Sequence, residues 1–219
     1  MPNTEQARFN MIEQQIRPWE VLDQRVLDLM MNTPRETLVP EGYENLAFAD
    51  TEIPLPHGET MLPPKIIARM LQAVDPRPGD IALSVGTGTG YVTALLAKSC
   101  RKVYGVEIHQ DLLDTTRQNL ANLNLLDNVT LEQGDASQGW DAHQPYDIVV
   151  ITGSLPVLPD SFQQTLNRGG AMVAIVGQAP IMEVILIKRI SDQEWSREVL
   201  FETEVKPLQH TQPAQQFVF

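Results

Sequence analysis

The feature that most constrains this chain is a glycine-rich stretch at residues 85–91, which reads Val-Gly-Thr-Gly-Thr-Gly-Tyr. An apolar run at residues 81–85 precedes it, and a largely apolar run at residues 92–97 follows it. This order predicts a strand, a tight turn and a helix. Glycines allow the backbone of such a turn to approach a ligand closely, and the start of the helix directs free N–H groups toward it. We therefore expect a ligand-binding turn at the end of a buried strand.

Strands and helices alternate along the chain beyond this turn. Further strands are predicted at residues 102–107, 129–133, 148–151 and 171–177. Leucines at helical spacing predict a helix over residues 112–123. Two later runs, at residues 183–190 and 197–205, flank a polar turn and predict a hairpin. The pattern indicates an α/β fold with a mostly parallel sheet that finishes with antiparallel strands.

The first third of the chain predicts helices followed by an irregular segment. Apolar residues recur at helical spacing in residues 9–16 and 26–30. Residues 35–64 contain several prolines and glycines and show little periodicity, so they are a candidate lid or substrate wall, or else a packed surface connection. We expect one compact unit in which residues 1–75 supply N-terminal helices and a substrate-side segment. Residues 76–219 would then form the ligand-binding domain.

The charge balance argues against a nucleic-acid-binding protein. The chain has 16 Lys and Arg against 28 Asp and Glu, a formal net charge of −12 at pH 7. A broad basic face that could meet phosphates is therefore not expected. No apolar run approaches the ~20 residues needed to span a bilayer, and residues 1–6 lack the pattern of a signal peptide. We expect a cytoplasmic protein that binds neither nucleic acid nor membrane.

Cysteine and histidine give no sign of a disulfide or a metal centre. The single cysteine, Cys100, excludes an internal disulfide and is expected to pack rather than react. The four histidines, His57, His109, His143 and His210, are scattered without the spacing of metal ligands. We therefore expect no metal site.

The spacing of the glycines distinguishes between possible ligands. A dinucleotide fingerprint requires Gly-x-Gly-x-x-Gly, whereas the third glycine here, Gly90, comes one residue early and Tyr91 takes its place. No Gly-Lys-Ser/Thr follows, which argues against a phosphate-binding P-loop. The Gly-x-Gly-x-Gly spacing resembles the turn of class I S-adenosylmethionine-dependent methyltransferases. That ligand carries no phosphate, and its carboxylate can accept hydrogen bonds from backbone N–H groups.

Two acidic residues at later strand ends agree with an adenosine ligand. Glu107 ends the second predicted strand, where a carboxylate can accept both ribose hydroxyls. Asp135 follows the third strand, where an acid suits the adenine amino group. Taken singly, Glu107 could be a solvated strand end and Asp135 a turn cap. The predicted cofactor-binding residues are Thr60, Gly86, Thr87, Gly88, Thr89, Gly90, Glu107, Ile108, Asp135 and Ala136.

With these residues in place, the chain resembles protein-L-isoaspartate O-methyltransferases over about residues 34–208. The likeness rests on residues 58–64, 85–91, 103–107, 134–140, 145–150 and 166–170. It implies a Rossmann-like, doubly wound fold with an N-terminal helical extension and S-adenosylmethionine as the cofactor. It also implies methyl transfer to the α-carboxylate of isoaspartyl residues in damaged proteins, so the expected partner is a protein or peptide that carries such residues.

The chain departs from that family pattern at two positions. The family motif before the helix is Thr-(Ile/Val)-Ser-x-Pro, and Leu62 stands at the serine position. Leucine cannot donate a hydrogen bond to a carboxylate, a loss of about 1–3 kcal/mol. Ser84 replaces an acidic residue that would help to hold the methionine amine.

These departures leave the catalytic residue unassigned and keep other functions open. No motif identifies a catalytic residue, and Thr60 is the candidate. The alternatives to isoaspartyl methylation are a methyltransferase with another acceptor and a non-catalytic relative that binds S-adenosylmethionine.

Overall fold

The computed structural model describes residues 4–211 as a central β-sheet with surrounding helices. The strands are β1 (Ile53–Pro54), β2 (Thr60–Met61), β3 (Ile81–Val85), β4 (Lys102–Glu107), β5 (Val129–Gln133), β6 (Tyr146–Leu155), β7 (Leu166–Gln178), β8 (Ile181–Arg189) and β9 (Trp195–Thr203). The α-helices are α1 (Thr4–Met11), α2 (Gln24–Met31), α3 (Pro64–Val74), α4 (Tyr91–Ser99), α5 (Gln110–Asn122) and α6 (Asp160–Gln164). A π-helical turn at Ile12–Ile16 continues α1.

Seven of the strands form one sheet in the order β5-β4-β3-β6-β7-β8-β9. The pairs β3–β4, β3–β6, β4–β5 and β6–β7 are parallel. The pairs β7–β8 and β8–β9 are antiparallel, because short turns join these strands. The predicted fold class, a mostly parallel sheet with antiparallel C-terminal strands and N-terminal helices, is confirmed.

The central strands of the sheet are buried on both faces. Successive residues of β3 point to opposite sides, so Ala82 joins one cluster of buried apolar side chains and Leu83 joins the other. The first cluster includes residues of α2, α3, α4 and α5, and the second includes Phe162 of α6. Burial on both faces explains why the sequence of the central strands reads as continuous apolar runs.

The N-terminal helices share the first cluster with the sheet. Met11, Ile16 and Leu27 are buried in it together with Val150 of β6 and Ile175 of β7. The division of the chain at residues 75 and 76 stays a prediction, and residues 212–219 of its second part lie outside the described range. Within residues 4–211, no helix is both long enough and apolar enough to cross a membrane.

The irregular segment at residues 35–64 is held in shape by hydrogen bonds within itself. It contains short 3₁₀ turns and an antiparallel pair, β1–β2. Arg35 is fully buried, and its guanidinium donates hydrogen bonds to the carbonyl oxygens of Ala47 and Leu62, each at 2.8 Å. These bonds fix the backbone just before α3, where the segment reaches the end of the sheet.

Candidate functional site

A cleft that is open to solvent lies at the carboxyl ends of β3, β4, β5 and β6. Open α/β sheets bind ligands at this edge. The predicted residues that line it are Thr60, Gly86, Gly88, Glu107, Ile108, Asp135 and Ala136. The folded chain therefore brings together strand ends that are far apart in sequence.

The first two glycines of the turn are closely packed at the floor of this cleft. Gly86 and Gly88 have φ values of +75° and +57°, which residues with a side chain rarely adopt. A Cβ atom on Gly86 would lie 2.7 Å from Oγ1 of Thr152, and one on Gly88 would lie 3.2 Å from Leu55. Both the backbone conformation and the close neighbours therefore favour glycine at these two positions.

The other predicted turn residues, Thr87, Thr89 and Gly90, do not line the main cleft. Gly90 lies outside the cleft lining and caps α4 at a φ of +88°, where a Cβ would meet Thr116 at 3.1 Å. Thr87 and Thr89 are buried and line a smaller adjoining pocket rather than the main cleft. The predicted turn residues thus fall into positions that line the main cleft, positions that line the adjoining pocket, and a helix cap outside the main cleft at Gly90.

Glu107 presents a buried carboxylate at the end of β4. Its side chain accepts hydrogen bonds from the backbone N–H groups of Gly88 at 2.9 Å, Ile108 at 3.0 Å and His109 at 3.2 Å. A carboxylate has about four acceptor sites, so one remains on the oxygen bound to Gly88. The same contacts fix the carboxylate against the glycine turn, and it can serve as a hydroxyl acceptor.

Asp135 lies at the rim of the cleft after β5. Partial burial alone would raise its pKa. Hydrogen bonds from the N–H of Ser137 and the ring of His210 outweigh that effect, so the pKa of Asp135 is below its ordinary value. The side chain is therefore a charged hydrogen-bond acceptor at neutral pH.

Thr60 and Leu62 form the opposite wall. Both line the main cleft and the adjoining pocket, and Leu62 is 4% exposed. The adjoining pocket also contains the apolar side chains of Leu55, Met61 and Ile67. The position that differs from the family motif is thus at the boundary between the two spaces.

Ser84 does not face the cleft. It is completely buried within β3, and its Oγ lies 3.0 Å from Oγ1 of Thr93 on α4. Its polar group is satisfied by the helix that packs on the strand. A serine at this position therefore interacts with the protein interior.

The sequence analysis missed part of the lining. Thr152 and Gly153 follow the apolar run at residues 148–151, and the end of that run was a usable signal, although β6 itself continues to Leu155. Residues 205–209 had no comparable signal, because long-range pairing holds them: the backbones of Ser154 and Leu208 bond at 2.9 Å.

Residues 205–209 also contact the opposite wall. The Nζ of Lys206 lies 3.2 Å from Oε1 of Glu59, and the side-chain amide of Gln209 donates a hydrogen bond to the same oxygen at 2.8 Å. The cleft is therefore closed on one side by contacts between early and late parts of the chain.

Two histidines that are distant in sequence meet beside the cleft. The rings of His57 and His109 are stacked with their centres 3.9 Å apart. Both oxygens of Asp111 lie 2.9 Å from Nε2 of His57, and this hydrogen bond lowers the pKa of Asp111. Sequence spacing did not reveal the cluster, because it forms only when residues 56–58 pack against the start of α5.

Comparison with known proteins identifies a family of matching sequences. The chain matches the family model described as protein-L-isoaspartate(D-aspartate) O-methyltransferase over residues 6–212. A protein-L-isoaspartate O-methyltransferase of Herpetosiphon aurantiacus is 34% identical over 204 residues, which cover 93% of this chain and 90% of that protein.

Solved structures share the same fold. A crystal structure described as a Plasmodium falciparum protein-L-isoaspartate O-methyltransferase in complex with S-adenosyl-L-homocysteine has a TM-score of 0.77 and 20% identity, covering 92% of this chain and 98% of that one. Another structure of that enzyme name has a TM-score of 0.78 and 21% identity. The match covers 91% of this chain and 65% of that longer chain.

Proposed function

Because this chain belongs to the protein-L-isoaspartate(D-aspartate) O-methyltransferase family of S-adenosylmethionine-dependent methyltransferases, we propose that it methylates isoaspartyl carboxylates in proteins. The observation that carries the proposal is the convergence of the glycine turn, Glu107 and Asp135 on one cleft. Thr60 and Leu62 stand on the facing wall, where an acceptor would enter.

The residues of the cleft fit S-adenosylmethionine. The remaining acceptor site on Glu107 suits a ribose hydroxyl, and the charged carboxylate of Asp135 suits the adenine amino group. The N–H groups of Gly86 and Gly88 already bond to the carbonyl of Val106 and the carboxylate of Glu107, so the carboxylate of the methionine part would meet other backbone N–H groups of the turn or the start of α4. Ile108 and Ala136 supply apolar surface beside these polar groups. The predicted cofactor residues that line the cleft thus offer partners for the ribose and the adenine.

S-adenosylmethionine supplies a methyl group on an activated sulfonium, so methylation of a carboxylate depends mainly on positioning. Thr60 offers a hydroxyl at the junction of the two pockets, and we assign it to orienting the acceptor. Leu62 excludes water from the same junction, and Arg35 fixes the Leu62 backbone through its carbonyl. The protein therefore contributes the orientation of the acceptor and an apolar wall that excludes water.

Transfer of a labelled methyl group tests this function directly. The protein is incubated with labelled S-adenosylmethionine and either an isoaspartyl peptide or its aspartyl counterpart. We expect label in the isoaspartyl peptide and none above background in the control. Absence of transfer at high enzyme concentration, with cofactor binding demonstrated by calorimetry, would contradict isoaspartyl methylation while leaving the cofactor assignment intact.

A different acceptor is the second candidate, and the apolar adjoining pocket favours it. Leu62 removes a hydrogen-bond donor there, and Leu55, Met61 and Ile67 add apolar surface. This candidate predicts label in a small apolar carboxylic acid and none in the isoaspartyl peptide. The same assay, run with both acceptors, therefore separates the two functions.

A further inference from the structure

The histidine cluster beside the cleft combines residues from two separate elements. His57 lies in a 3₁₀ turn at Pro56–Gly58, His109 is the residue before α5, and Asp111 is in the first turn of that helix. One nitrogen of each histidine and one oxygen of the aspartate all lie within 4.8 Å of one another. Within residues 4–211, no other group of three or more His, Cys, Asp or Glu side chains brings its ligand atoms this close together.

We propose that His57, His109 and Asp111 bind a divalent transition-metal ion of the Zn²⁺ type. Two imidazoles and a carboxylate are a common donor set for Zn²⁺, with bonds of about 2.0–2.2 Å. Tetrahedral geometry at those bond lengths places ligand atoms about 3.4 Å apart. The most widely separated pair, at no more than 4.8 Å, would therefore draw together, and Nε2 of His57 and the Asp111 carboxylate, now 2.9 Å apart, would separate slightly. Three protein ligands leave one position for water.

One histidine ring has to turn before both can point at a single ion, because the rings are only 9° from parallel. The side chain of His57 is 41% exposed, so it has room to rotate. Glu59 adds negative charge, with Oε1 3.9 Å from Nε2 of His109, although Lys206 partly offsets it. The overall charge of −12 also favours a cation at the surface.

The other histidines show what distinguishes this cluster. His143 stacks on Tyr104 at 4.0 Å and lies 2.8 Å from a single carboxylate, that of Glu132. His210 lies 2.8 Å from Asp135. Each of these is one imidazole with one carboxylate, whereas His57 and His109 place two imidazoles beside Asp111. A histidine paired with a carboxylate therefore occurs elsewhere in the described residues, but only the His57–His109 cluster adds a second imidazole.

A bound ion would join the N-terminal segment to the sheet at the edge of the cleft. Its ligands come from residues 56–58 and from the start of α5, and both elements continue into lining residues. Glu59 follows the first and Ile108 precedes His109. Binding should therefore raise the melting temperature of the protein.

The test is a Zn²⁺ titration of the untagged protein in competition with a chromogenic chelator, without cofactor or acceptor. We expect one equivalent to bind and Co²⁺ to give the absorption of a tetrahedral site. The His109→Ala and Asp111→Asn variants should each bind Zn²⁺ at least tenfold more weakly. The matched control is His143→Ala, which removes a stacked, carboxylate-paired histidine elsewhere and should leave Zn²⁺ affinity unchanged.

Three results would overturn the metal site: no stoichiometric binding, unchanged affinity in both ligand variants, or an equal loss in His143→Ala. The side chain of Asp111 is 59% exposed, so Asp111→Asn should fold normally, which thermal unfolding checks. The titration needs neither S-adenosylmethionine nor an acceptor. Its failure would therefore leave the proposed methyltransferase function untouched.

Discussion

At the scale of single residues, the carboxylate of Glu107 is the group on which the cofactor proposal depends most. Glu107→Gln should weaken S-adenosylmethionine binding at least tenfold, or about 1.4 kcal/mol. The amide has only one acceptor oxygen, and its NH₂ would face backbone N–H donors that now bond to both carboxylate oxygens. Isothermal calorimetry measures the change.

Glu132→Gln is the matched control for that measurement. Glu132 lies on the neighbouring strand β5 and pairs with His143 outside the cleft lining. We expect its cofactor affinity to equal that of the original protein. If Glu107→Gln binds S-adenosylmethionine as tightly as the original protein does, Glu107 does not contribute to cofactor binding.

Leu62 is the residue at which acceptor choice can be changed. If the acceptor is an isoaspartyl carboxylate, Leu62→Ser should raise kcat/KM for the isoaspartyl peptide by roughly 5–150-fold, because the hydroxyl supplies a hydrogen bond of about 1–3 kcal/mol. It should also lower stability by roughly 2–4 kcal/mol, since a buried leucine is lost.

The kinetic effect of Leu62→Ser is checked by methyl transfer, and its stability cost by denaturant unfolding. Leu55→Ser is the control, because Leu55 also lines both pockets and is nearly buried. A comparable gain in both variants would show that loss of apolar bulk, rather than the serine hydroxyl at position 62, raises activity.

The convergence of residues at strand ends on one cleft could be predicted from the sequence, whereas their roles toward the cofactor stay predictions. Glu107 and Asp135 follow apolar runs, and parallel strands carry such residues to one edge. Gly90 was predicted to bind the cofactor with Gly86 and Gly88, but it lies outside the cleft lining and close to Thr116, so its role toward the cofactor stays a prediction. Glycine spacing identifies a turn, but which glycine faces the ligand depends on neighbouring helices that the motif does not specify.

At the scale of elements, close packing between β4 and the glycine turn should couple strand and site. A Cβ atom on Gly105 would lie 2.8 Å from Leu131 and 2.9 Å from Thr87. Gly105→Ala should therefore cost about 1–3 kcal/mol of stability and displace the turn, weakening cofactor binding. Thermal unfolding and calorimetry test the two effects.

The control for this substitution is Gly79→Ala. Gly79 precedes β3, and a Cβ there would meet no atom within 4 Å. Its melting temperature and cofactor affinity should stay close to those of the original protein. If Gly105→Ala behaves like Gly79→Ala, β4 does not support the turn by contact.

Elements with strong periodicity were predictable, and those held by distant contacts were not. The strands and the final hairpin follow from apolar runs and polar turns, as β8 and β9 show. Residues 35–64 remained ambiguous because their order comes from buried bonds such as those of Arg35, which link positions far apart in the chain. The extension of α1 into a π-helical turn also left no local signal.

At the scale of the whole molecule, burial of the Cys100 thiol should make the free energy of unfolding fall as the pH rises above about 8. Burial raises the pKa of Cys100 to about 12. In the unfolded chain the thiol releases its proton near pH 8.5. Between these values the folded state holds the extra proton, so the unfolding free energy should fall with rising pH, by up to about 1.4 kcal/mol per unit.

Denaturant unfolding between pH 8 and pH 10 measures this slope. In Cys100→Ala the thiol contribution is absent, so the fall should be smaller by up to about 1.4 kcal/mol per pH unit. The stability difference between the two proteins should be constant below pH 8, where the thiol is protonated in both states. Parallel pH profiles up to pH 10 would contradict a buried thiol of high pKa.

The contact between Lys206, Gln209 and Glu59 has a consequence for biosynthesis. A nascent chain that has emerged only as far as β9 possesses every strand of the sheet, yet it lacks the wall formed by residues 205–209. All the strands of the sheet are therefore synthesised before the residues that complete the cleft. Cofactor present in the cell should stabilise the protein only after that late segment has docked. A chain terminated after β9 should therefore gain no stability from the cofactor.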